Sequence, residues 1–350
     1  MSGDSTHVSI ILLNWNGWGD TIECLESILK QTYMTYNIIL IDNNSTDDSL
    51  LQIKNWASGG NNVPIETRYP ELVLPPVSKP VEIVEYQGME NDPALEKQSI
   101  LLVKNSENLG FARANNQGMA LARRLFNSEY YFLLNNDTVI DKNAVNALVQ
   151  ILTTETRIKV SQSTIYSYSE NKIVNAGGKI FFWGQTRHFK SIGASEIRDI
   201  SFVNGCALFV RSSLIDEYGP LSEKFFHGEE DFEFSMRMNK NRQRMICSGE
   251  SRIYHKVGRA VKNLMKNYER RTFLFALNRM VDLKDYLPAY VWRIWRFFTL
   301  TYFLYLFSLK YRVPLRRAFF LLGKIHEYSE KLNDVQKESL DRINKDVNLW

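Results

Sequence analysis

The sequence predicts an α/β protein of the doubly wound type, a mostly parallel sheet with helices on both faces, followed by a helical C-terminal appendage. Three observations carry that prediction. Short apolar runs, β-branched or aromatic in character, recur at residues 8–13, 38–41, 100–103 and 130–134. Stretches of helical period follow them at 20–31, 47–56, 111–126 and 143–152. Each apolar run ends in a cluster of polar residues. Strands buried on both faces read as continuous apolar runs, and strand–helix alternation calls for right-handed crossovers between parallel neighbours.

Taken in order, residues 8–13 form the opening strand and stop at Asn14-Trp15-Asn16-Gly17. The helix that follows places Ile22, Leu25, Ile28 and Leu29 on one face, with Asp20 and Glu23 as an N-terminal cap pair. The second strand ends in Asp42-Asn43-Asn44-Ser45-Thr46-Asp47. Six of the nine prolines then fall between Pro64 and Pro93, inside a stretch, 57–99, too long for an ordinary connection. It is either a functional loop or an excursion beside the site. Two further strand–helix pairs complete the alternation. Past Thr153 the pattern loosens to a strand at 202–210, a helix at 230–239, one or two short strands at 245–255, and helix from Arg270 to the end. The chain thus divides into an α/β domain over 1–280, with 57–99 as its insertion or loop, and a helical region over 281–350.

The net charge of +4 on 350 residues is too weak to argue for nucleic acid, but the charge is segregated. Between Tyr286 and His326 there is no acidic residue and there are seven basic ones, which leaves the rest of the chain at −3. Within this segment residues 297–309 carry no charge, a run short of the ~20 residues that span a bilayer. With Trp292, Trp295, Tyr302 and Tyr305 and flanking arginines, it reads as a segment lying on an anionic membrane face. The alternatives are helices packed on the body or a homodimer interface. Cys24, Cys206 and Cys247 are few, odd in number and widely spaced, as expected of free thiols in a reducing compartment. The polar N-terminus lacks the apolar core of a signal peptide, which points to a cytoplasmic protein, peripheral on the inner face of the cell membrane.

Four polar clusters close predicted parallel strands and so share one sheet edge, the edge where open α/β sheets bind ligands. They are Asn14-Trp15-Asn16, Asp42 to Asp47, Asn105 to Gly110, and Asn135-Asn136-Asp137-Thr138. Neither a G-x-G-x-x-G nor a G-x-x-x-x-G-K-[ST] pattern follows a strand, so a bound nucleotide would be held by side chains and metal rather than by a glycine cradle. Asp137, at a strand end with no basic neighbour in sequence, suits a hard divalent cation; the competing reading is a turn or helix cap. Glu229-Glu230-Asp231 opens a helix behind the aromatic run Phe225-Phe226, where a carboxylate either gains from the helix dipole or serves as a general base. His255 ends a strand and is either a satisfied structural residue or a partner of Asp137.

These clusters, in this order, resemble the GT-A inverting glycosyltransferases of family 2, in particular its rhamnosyltransferase-like members. The resemblance spans about residues 8–280. It rests on the opening strand through Asn16, on Asp42 to Asp47, on Asn108-Leu109-Gly110-Phe111-Ala112-Arg113-Ala114-Asn115-Asn116, on Leu134-Asn135-Asn136-Asp137, and on Gly228-Glu229-Glu230-Asp231 leading to Arg237. It implies transfer of a sugar from a nucleotide donor, dTDP-rhamnose or a UDP-sugar, to a hydroxyl of a glycan or lipid-linked acceptor in cell-surface polysaccharide synthesis. By the same resemblance Asn14, Asn16, Asp42, Asn44, Asn108, Gly110, Asn115, Asn136, Asn204 and Gly205 lie along the nucleotide sugar. Asp137 and His255 hold Mg2+ or Mn2+, and Asp231, paired with Glu230, deprotonates the acceptor. The sequence departs from the family's D-x-D element at its first position, where Asn135 stands, so Asp137 is the only acid of that motif. Two other classes use related folds. A nucleotidyltransferase calls for a glycine-rich basic loop after the first strand, which Asn14-Trp15-Asn16-Gly17 does not supply. A non-catalytic glycan-binding protein has no need of Asp137, Glu230 and Asp231.

Overall fold

In a computed structural model of the chain, residues 6–60, 63–88, 95–181, 184–256 and 268–348 are described. The order begins β1 (Val8–Asn14), α1 (Trp18–Ile28), β2 (Tyr36–Asp42), α2 (Ser49–Ser58), α3 (Pro70–Val73), β3 (Ile83–Glu85), β4 (Ile100–Lys104), α4 (Phe111–Phe126), β5 (Tyr130–Asn135), β6 (Thr138–Ile140) and α5 (Ala144–Thr154). It continues with β7 (Ile158–Ser167), β8 (Ile173–Asn175), β9 (Gly178–Ile180), β10 (Thr186–His188), β11 (Ile197–Ile200), β12 (Ala207–Arg211), α6 (Ser212–Tyr218), α7 (Glu230–Lys240) and β13 (Arg244–His255). The C-terminal part is α8 (Tyr268–Leu283), α9 (Ala289–Tyr305), a π-helical turn (Leu306–Lys310), α10 (Leu315–Lys331) and α11 (Lys337–Val347).

The main sheet runs β11-β13-β7-β12-β5-β1-β2-β4-β3, with β6 paired to β13 and β8 to β7. From β5 through β3 every neighbour is parallel. The other half turns antiparallel at β12 and returns to parallel between β7 and β13. Side chains alternate between faces, which is why the apolar runs had to be apolar throughout. Ile10, Leu12, Ile38 and Leu40 pack with Ile22 and Leu25 of α1 and Leu148 of α5. Ile11, Ile39, Ile41 and Leu133 pack on the other face with Ala114, Met119 and Ala122 of α4. Each such Ile or Leu contributes ~1.5–3 kcal/mol when fully buried.

The stretch 57–99 is an excursion with structure of its own: α3, then β3, which adds itself to the sheet edge beside β4. Residues 61–62 and 89–94 of it lie outside the described residues. The expected strands at 245–255 are a single twelve-residue strand, β13, whose register with β7 shifts between Ser248 and Arg252. Asp20 and Glu23 do not cap α1, whose N-terminus has no side-chain cap. Lys256 draws both carboxylates away instead and so ties the end of β13 to α1. The C-terminal helices are packed on the body: Phe273, Leu277, Trp292, Trp295 and Leu321 share a core with Phe202, Phe225 and Phe232.

Helix α4 approaches the sheet closely at Gly118, where a Cβ would stand 2.6 Å from Ile11 Cγ2 and 3.2 Å from Ile41 Cδ1. Gly118→Val is therefore expected to destabilise the fold by roughly 1–3 kcal/mol through overpacking. Urea denaturation of the variant and the parent checks this; an unchanged midpoint contradicts the close approach.

Candidate active site

The carboxyl ends of the parallel strands carry the polar clusters to one edge. In register, Asn14 of β1 lies beside Asp42 of β2. The Asn14 amide donates to Asp42 Oδ1 at 2.8 Å and to Ser45 Oγ at 3.0 Å. Ser45 returns its hydroxyl to Asp42 Oδ1 at 2.6 Å and its backbone N–H to Oδ2 at 3.0 Å. Thr21 donates to Asn14 Oδ1 at 2.9 Å and accepts from the Asn136 amide at 2.8 Å. Asn136, Thr21, Asn14, Asp42 and Ser45 are thus one chain of hydrogen bonds across three strand ends. Asn16, with φ +53°, accepts from the backbone N–H of Thr46 at 2.7 Å and of Asp47 at 3.2 Å. It closes the first loop onto the second. Asn44 turns that loop at φ +63°.

The third cluster is organised by a residue the sequence reading passed over. Asn43 donates to Asn108 Oδ1 at 2.9 Å and accepts from the Asn105 amide at 3.1 Å and from Leu109 N–H at 3.0 Å. Asn108 Oδ1 also accepts from Gly110 N–H at 2.9 Å. Gly110 has φ +78°, and a Cβ there would fall 2.4 Å from the Phe226 carbonyl oxygen. Only glycine fits between this loop and the acidic one. Asn115 is buried one turn into α4, and its amide donates to Phe111 O. Thr21 and Ser45 were also passed over; the one signal for them was their place, next to strand-end amides and carboxylates.

Asp137 and His255 come together from elements 118 residues apart in sequence, as β6 pairs with the end of β13 and sets Thr138 opposite His255. His255 Nε2 stands 3.0 Å from Asp137 Oδ1, with both side chains largely buried. Burial pulls the imidazole down, but the Cys206 sulfur and the Asp137 carboxylate outweigh it and raise its pKa well above the ordinary histidine range. Geometry and charge thus hold His255 and Asp137 against each other. Adjacent ligands of an octahedral Mg2+ or Mn2+ at about 2.1 Å lie about 3.0 Å from each other, so the observed separation matches the donor pair. Among the described residues no group of three or more His, Cys, Asp or Glu side chains forms a complete cage. A divalent cation here would complete its shell with oxygens from outside the chain, those of water or of a bound phosphate.

The fourth group is the acidic loop. Gly228 and Glu229 both have positive φ, +81° and +75°, which turns the chain into α7. Glu229 pairs with Arg279 of α8, and Glu233 with Arg237 at 3.0 Å. Among the described residues Glu230 Oε2 has no hydrogen-bond partner. Burial, then the Asp231 charge, raises Glu230. Burial, then the Glu229 charge, raises Asp231, opposed by the Gly205 N–H, 3.4 Å from Asp231 Oδ2, and by Arg279. Both carboxyls thus lie above the ordinary carboxylate range. Gly205 also links the acidic pairs. It abuts Asp231, and the next residue, Cys206, accepts from Asn135 N–H at 3.0 Å and borders His255. Asn204 turns its carbonyl oxygen back to Cys206 N–H at 3.0 Å and shapes this bend.

A half-parallel, half-antiparallel sheet with these loops at its carboxyl edge defines a GT-A type fold. Solved structures agree. The chain aligns over 99% of its length with 55% of GalNAc-T7, solved with UDP, GalNAc and Mn2+, at TM-score 0.57 and 14% identity. It aligns over 97% with 83% of residues 1–349 of S. aureus TarS at 0.53 and 13%. It aligns over 99% with 82% of the Pyrobaculum calidifontis mannosyltransferase PcManGT, solved with GDP-Man and Mn2+, at 0.51 and 12%. The chain belongs to glycosyl transferase family 2: the glycosyl transferase family 2 profile matches residues 9–68 and the glycosyl transferase family group 2 profile residues 131–326. It is 24% identical over 193 residues to the glycosyltransferase GlyG of Streptococcus pneumoniae serotype 4, covering 54% of this chain and 48% of that one. It is 26% identical over 175 residues to the low-salt glycan biosynthesis hexosyltransferase Agl10 of Haloferax volcanii, covering 45% and 54% respectively. The chain therefore spans about half the length of these curated relatives.

One acid near the site is unused by this arrangement. Asp282 of α8 is fully buried, neither carboxylate oxygen has a hydrogen-bond partner among the described residues, and burial, then Glu229 and Glu233, pushes it up to about 8. In the unfolded chain it titrates near about 4. Between those values the folded state holds the extra proton, so this group's contribution to stability falls as pH rises through that window. Asp282→Asn is expected to gain stability relative to the parent at pH 8.5 and much less at pH 5, read by urea denaturation at both. Parallel stability–pH curves for the two proteins contradict the assignment.

Proposed function

We propose that the protein is an inverting, metal-dependent glycosyltransferase of the hexosyltransferase type. It moves a sugar from a nucleotide-diphosphate donor, dTDP-rhamnose or a UDP-sugar, to a hydroxyl of a glycan or lipid-linked saccharide in cell-surface polysaccharide synthesis. The observation that carries this reading is the pairing of two different acidic centres through the Gly205-Cys206 bend. Asp137 with His255 is a cation site, and Asp231 is a base candidate with no cation of its own. A single displacement at an anomeric carbon needs both, one at the leaving diphosphate and one at the incoming hydroxyl. The solved relatives support the donor class, since TarS was crystallised with UDP-GlcNAc and GalNAc-T7 with UDP.

On this reading Asp137 and His255 would hold Mg2+ or Mn2+, which when bound neutralises charge on the departing diphosphate. The chain of bonds from Asn136 to Ser45 fixes the strand ends against which the nucleoside lies. The exposed Trp15 beside it offers a ring for the base. Asp231 Oδ2, steadied by the Gly205 N–H, takes the proton from the acceptor oxygen as that oxygen bonds to the sugar. Glu230, raised by burial and by the Asp231 charge, lies beside it. The seat of the reaction is the cytoplasmic side of a membrane, which the basic, aromatic C-terminal segment supports.

Asp137→Ala is expected to abolish metal-dependent donor binding in calorimetric titrations with UDP- and dTDP-sugars and Mn2+. Asp231→Asn is expected to bind donor within about threefold of the parent and to lose ~10²–10⁴-fold in transfer. Transfer by Asp231→Asn at the parent rate sinks the base assignment, and metal-dependent binding by Asp137→Ala sinks the metal site.

A further inference from the structure

The face of α9 turned away from the body is apolar. Ile294, Phe297, Phe298, Tyr302, Tyr305 and Leu309 all point outward, with Phe297 64% and Phe298 61% exposed. The spacing is that of one helical stripe, continued through the π-helical turn. Leu315, Phe319 and Phe320 extend the surface onto the start of α10. This inverts the usual rule for a surface helix, whose apolar stripe faces the core. An exposed apolar surface of this extent marks a partner or a membrane.

The charges around it select between those two. Of the seven basic residues in this segment, Arg296 pairs with Glu330, Arg317 with Glu269, and Lys324 with Glu327 and Asp346. The other four, Arg293, Lys310, Arg312 and Arg316, are exposed and carry no ion pair among the described residues. Arg293, Lys310 and Arg316 thus lie on the elements that carry the exposed aromatics and Arg312 between them, while the paired Arg296 is buried against the body. No helix among the described residues is long and apolar enough to cross a membrane.

A pocket of about 370 Å³ opens beside this stripe, between the β9–β10 hairpin and helices α8 and α9. Phe298 and Tyr302 belong to both the stripe and the pocket wall, and Phe275, Trp295 and Phe303 complete the apolar lining. At the pocket wall lies the buried Arg279, held by Glu229 and the Gly184 carbonyl and therefore one residue removed from Glu230 and Asp231. The volume suits a short run of hydrocarbon or one ring, at the small end of ligand pockets.

We propose that the outer face of α9 and the start of α10 rest on an anionic lipid bilayer, and that the pocket receives the apolar chain of an amphiphilic acceptor drawn from that membrane. The second half rests on the reading of Asp231 as base: a chain seated in the pocket brings the attached polar group past Arg279 and Glu229 toward Asp231. The acceptor class is then a lipid-borne saccharide rather than a free glycan.

The test separates the two halves and is independent of transfer activity. Vesicles of phosphatidylcholine with 30% phosphatidylglycerol, the fraction about that of an anionic leaflet, are sedimented with the full chain. The parent is expected to co-sediment, and the Arg293→Ser/Lys310→Ser/Arg312→Ser/Arg316→Ser variant to bind at least about tenfold more weakly, each near-surface cation being worth about fivefold. Ile294→Ser/Phe297→Ser/Phe319→Ser is expected to release the protein from the same vesicles. Equal pelleting of parent and both variants overturns the docking face. So does a two-chain mass in sedimentation velocity that the apolar triple variant breaks, which would make the face a homodimer interface. For the pocket, octyl glucoside below its micellar concentration is expected to bind the parent, free glucose not to bind, and Thr299→Trp to abolish the octyl glucoside signal. Equal binding by Thr299→Trp, or none by the parent, overturns the chain site. Donor binding with Mn2+ is measured on every variant, so a failure of the donor site is read separately from a failure of the membrane face.

Discussion

Five carboxylates, Glu229, Glu230, Asp231, Glu233 and Asp282, converge where α7 begins, and the arrangement depends on the two arginines set among them. Arg237 takes Glu233 in a two-bonded fork one turn along the helix, at 3.0 Å for each bond. Arg279 takes Glu229, lies 3.4 Å over the Phe232 ring, and donates to the Gly184 carbonyl of the hairpin segment. A buried charge is tolerated only when paired and hydrogen-bonded. Arg237 and Arg279 thereby leave Glu230, Asp231 and Asp282 as the acids without a paired cation among the described residues, and of these Glu230 and Asp231 open the helix. The helix N-terminus favours their charge while burial opposes it. Acids balanced in this way titrate high and are available for proton transfer.

Arg279 also explains why the C-terminal helices belong to the site. It comes from α8, which α9 and α10 pack against, and the loop before the acids is held from the same side. Phe226 N–H donates to the Val335 carbonyl at 3.0 Å, and Val335 N–H to the Lys224 carbonyl at 2.8 Å. Gly110, pressed against the Phe226 carbonyl, closes the loop from the donor side. The acidic turn is therefore fixed between the nucleotide half and the helical region. A shift of the helices on a membrane would reach Asp231 through Arg279 and Val335.

The parallel half was legible in the sequence because strands buried on both faces can be written only in apolar residues, and each such run stops where the chain meets solvent. The antiparallel half was less legible. Strand β12 begins at Ala207, while Phe202 and Val203 before it, apolar and expected as strand, fill the core from a bend that Asn204 makes by bonding back to Cys206. Local composition does not distinguish the two. Asn115 sat inside a motif that resemblance assigned to the donor, and its amide donates one turn back to Phe111 O in its own helix, a bond that the motif does not display. Asp20 and Glu23 had the spacing of a cap, but Lys256, remote in sequence, offered them a full charge. Thr21, Ser45 and Asn43 went unnoticed because their importance lies in bonds between loops, which no single segment displays.

The departure at Asn135 is where sequence and geometry bear on each other most directly. With an amide in place of the first acid, Asp137 is left as the motif's only carboxylate, which on charge alone predicts weak hold on a divalent cation. The pairing of β6 with β13 supplies what the motif lacks by setting His255 against Asp137, and Lys256, bonded through its backbone N–H to the Asp137 carbonyl at 3.0 Å, locks that register. The Lys256 side chain turns away to Asp20 and Glu23, so its positive charge is spent before it reaches the cation position. A neutral imidazole in place of a second carboxylate keeps two ligands but removes one negative charge. On the proposed reading a cation would have to displace the His255 proton, and with one carboxylate and one imidazole as its protein ligands it would keep more of its charge for the donor diphosphate, so that each would help to hold the other.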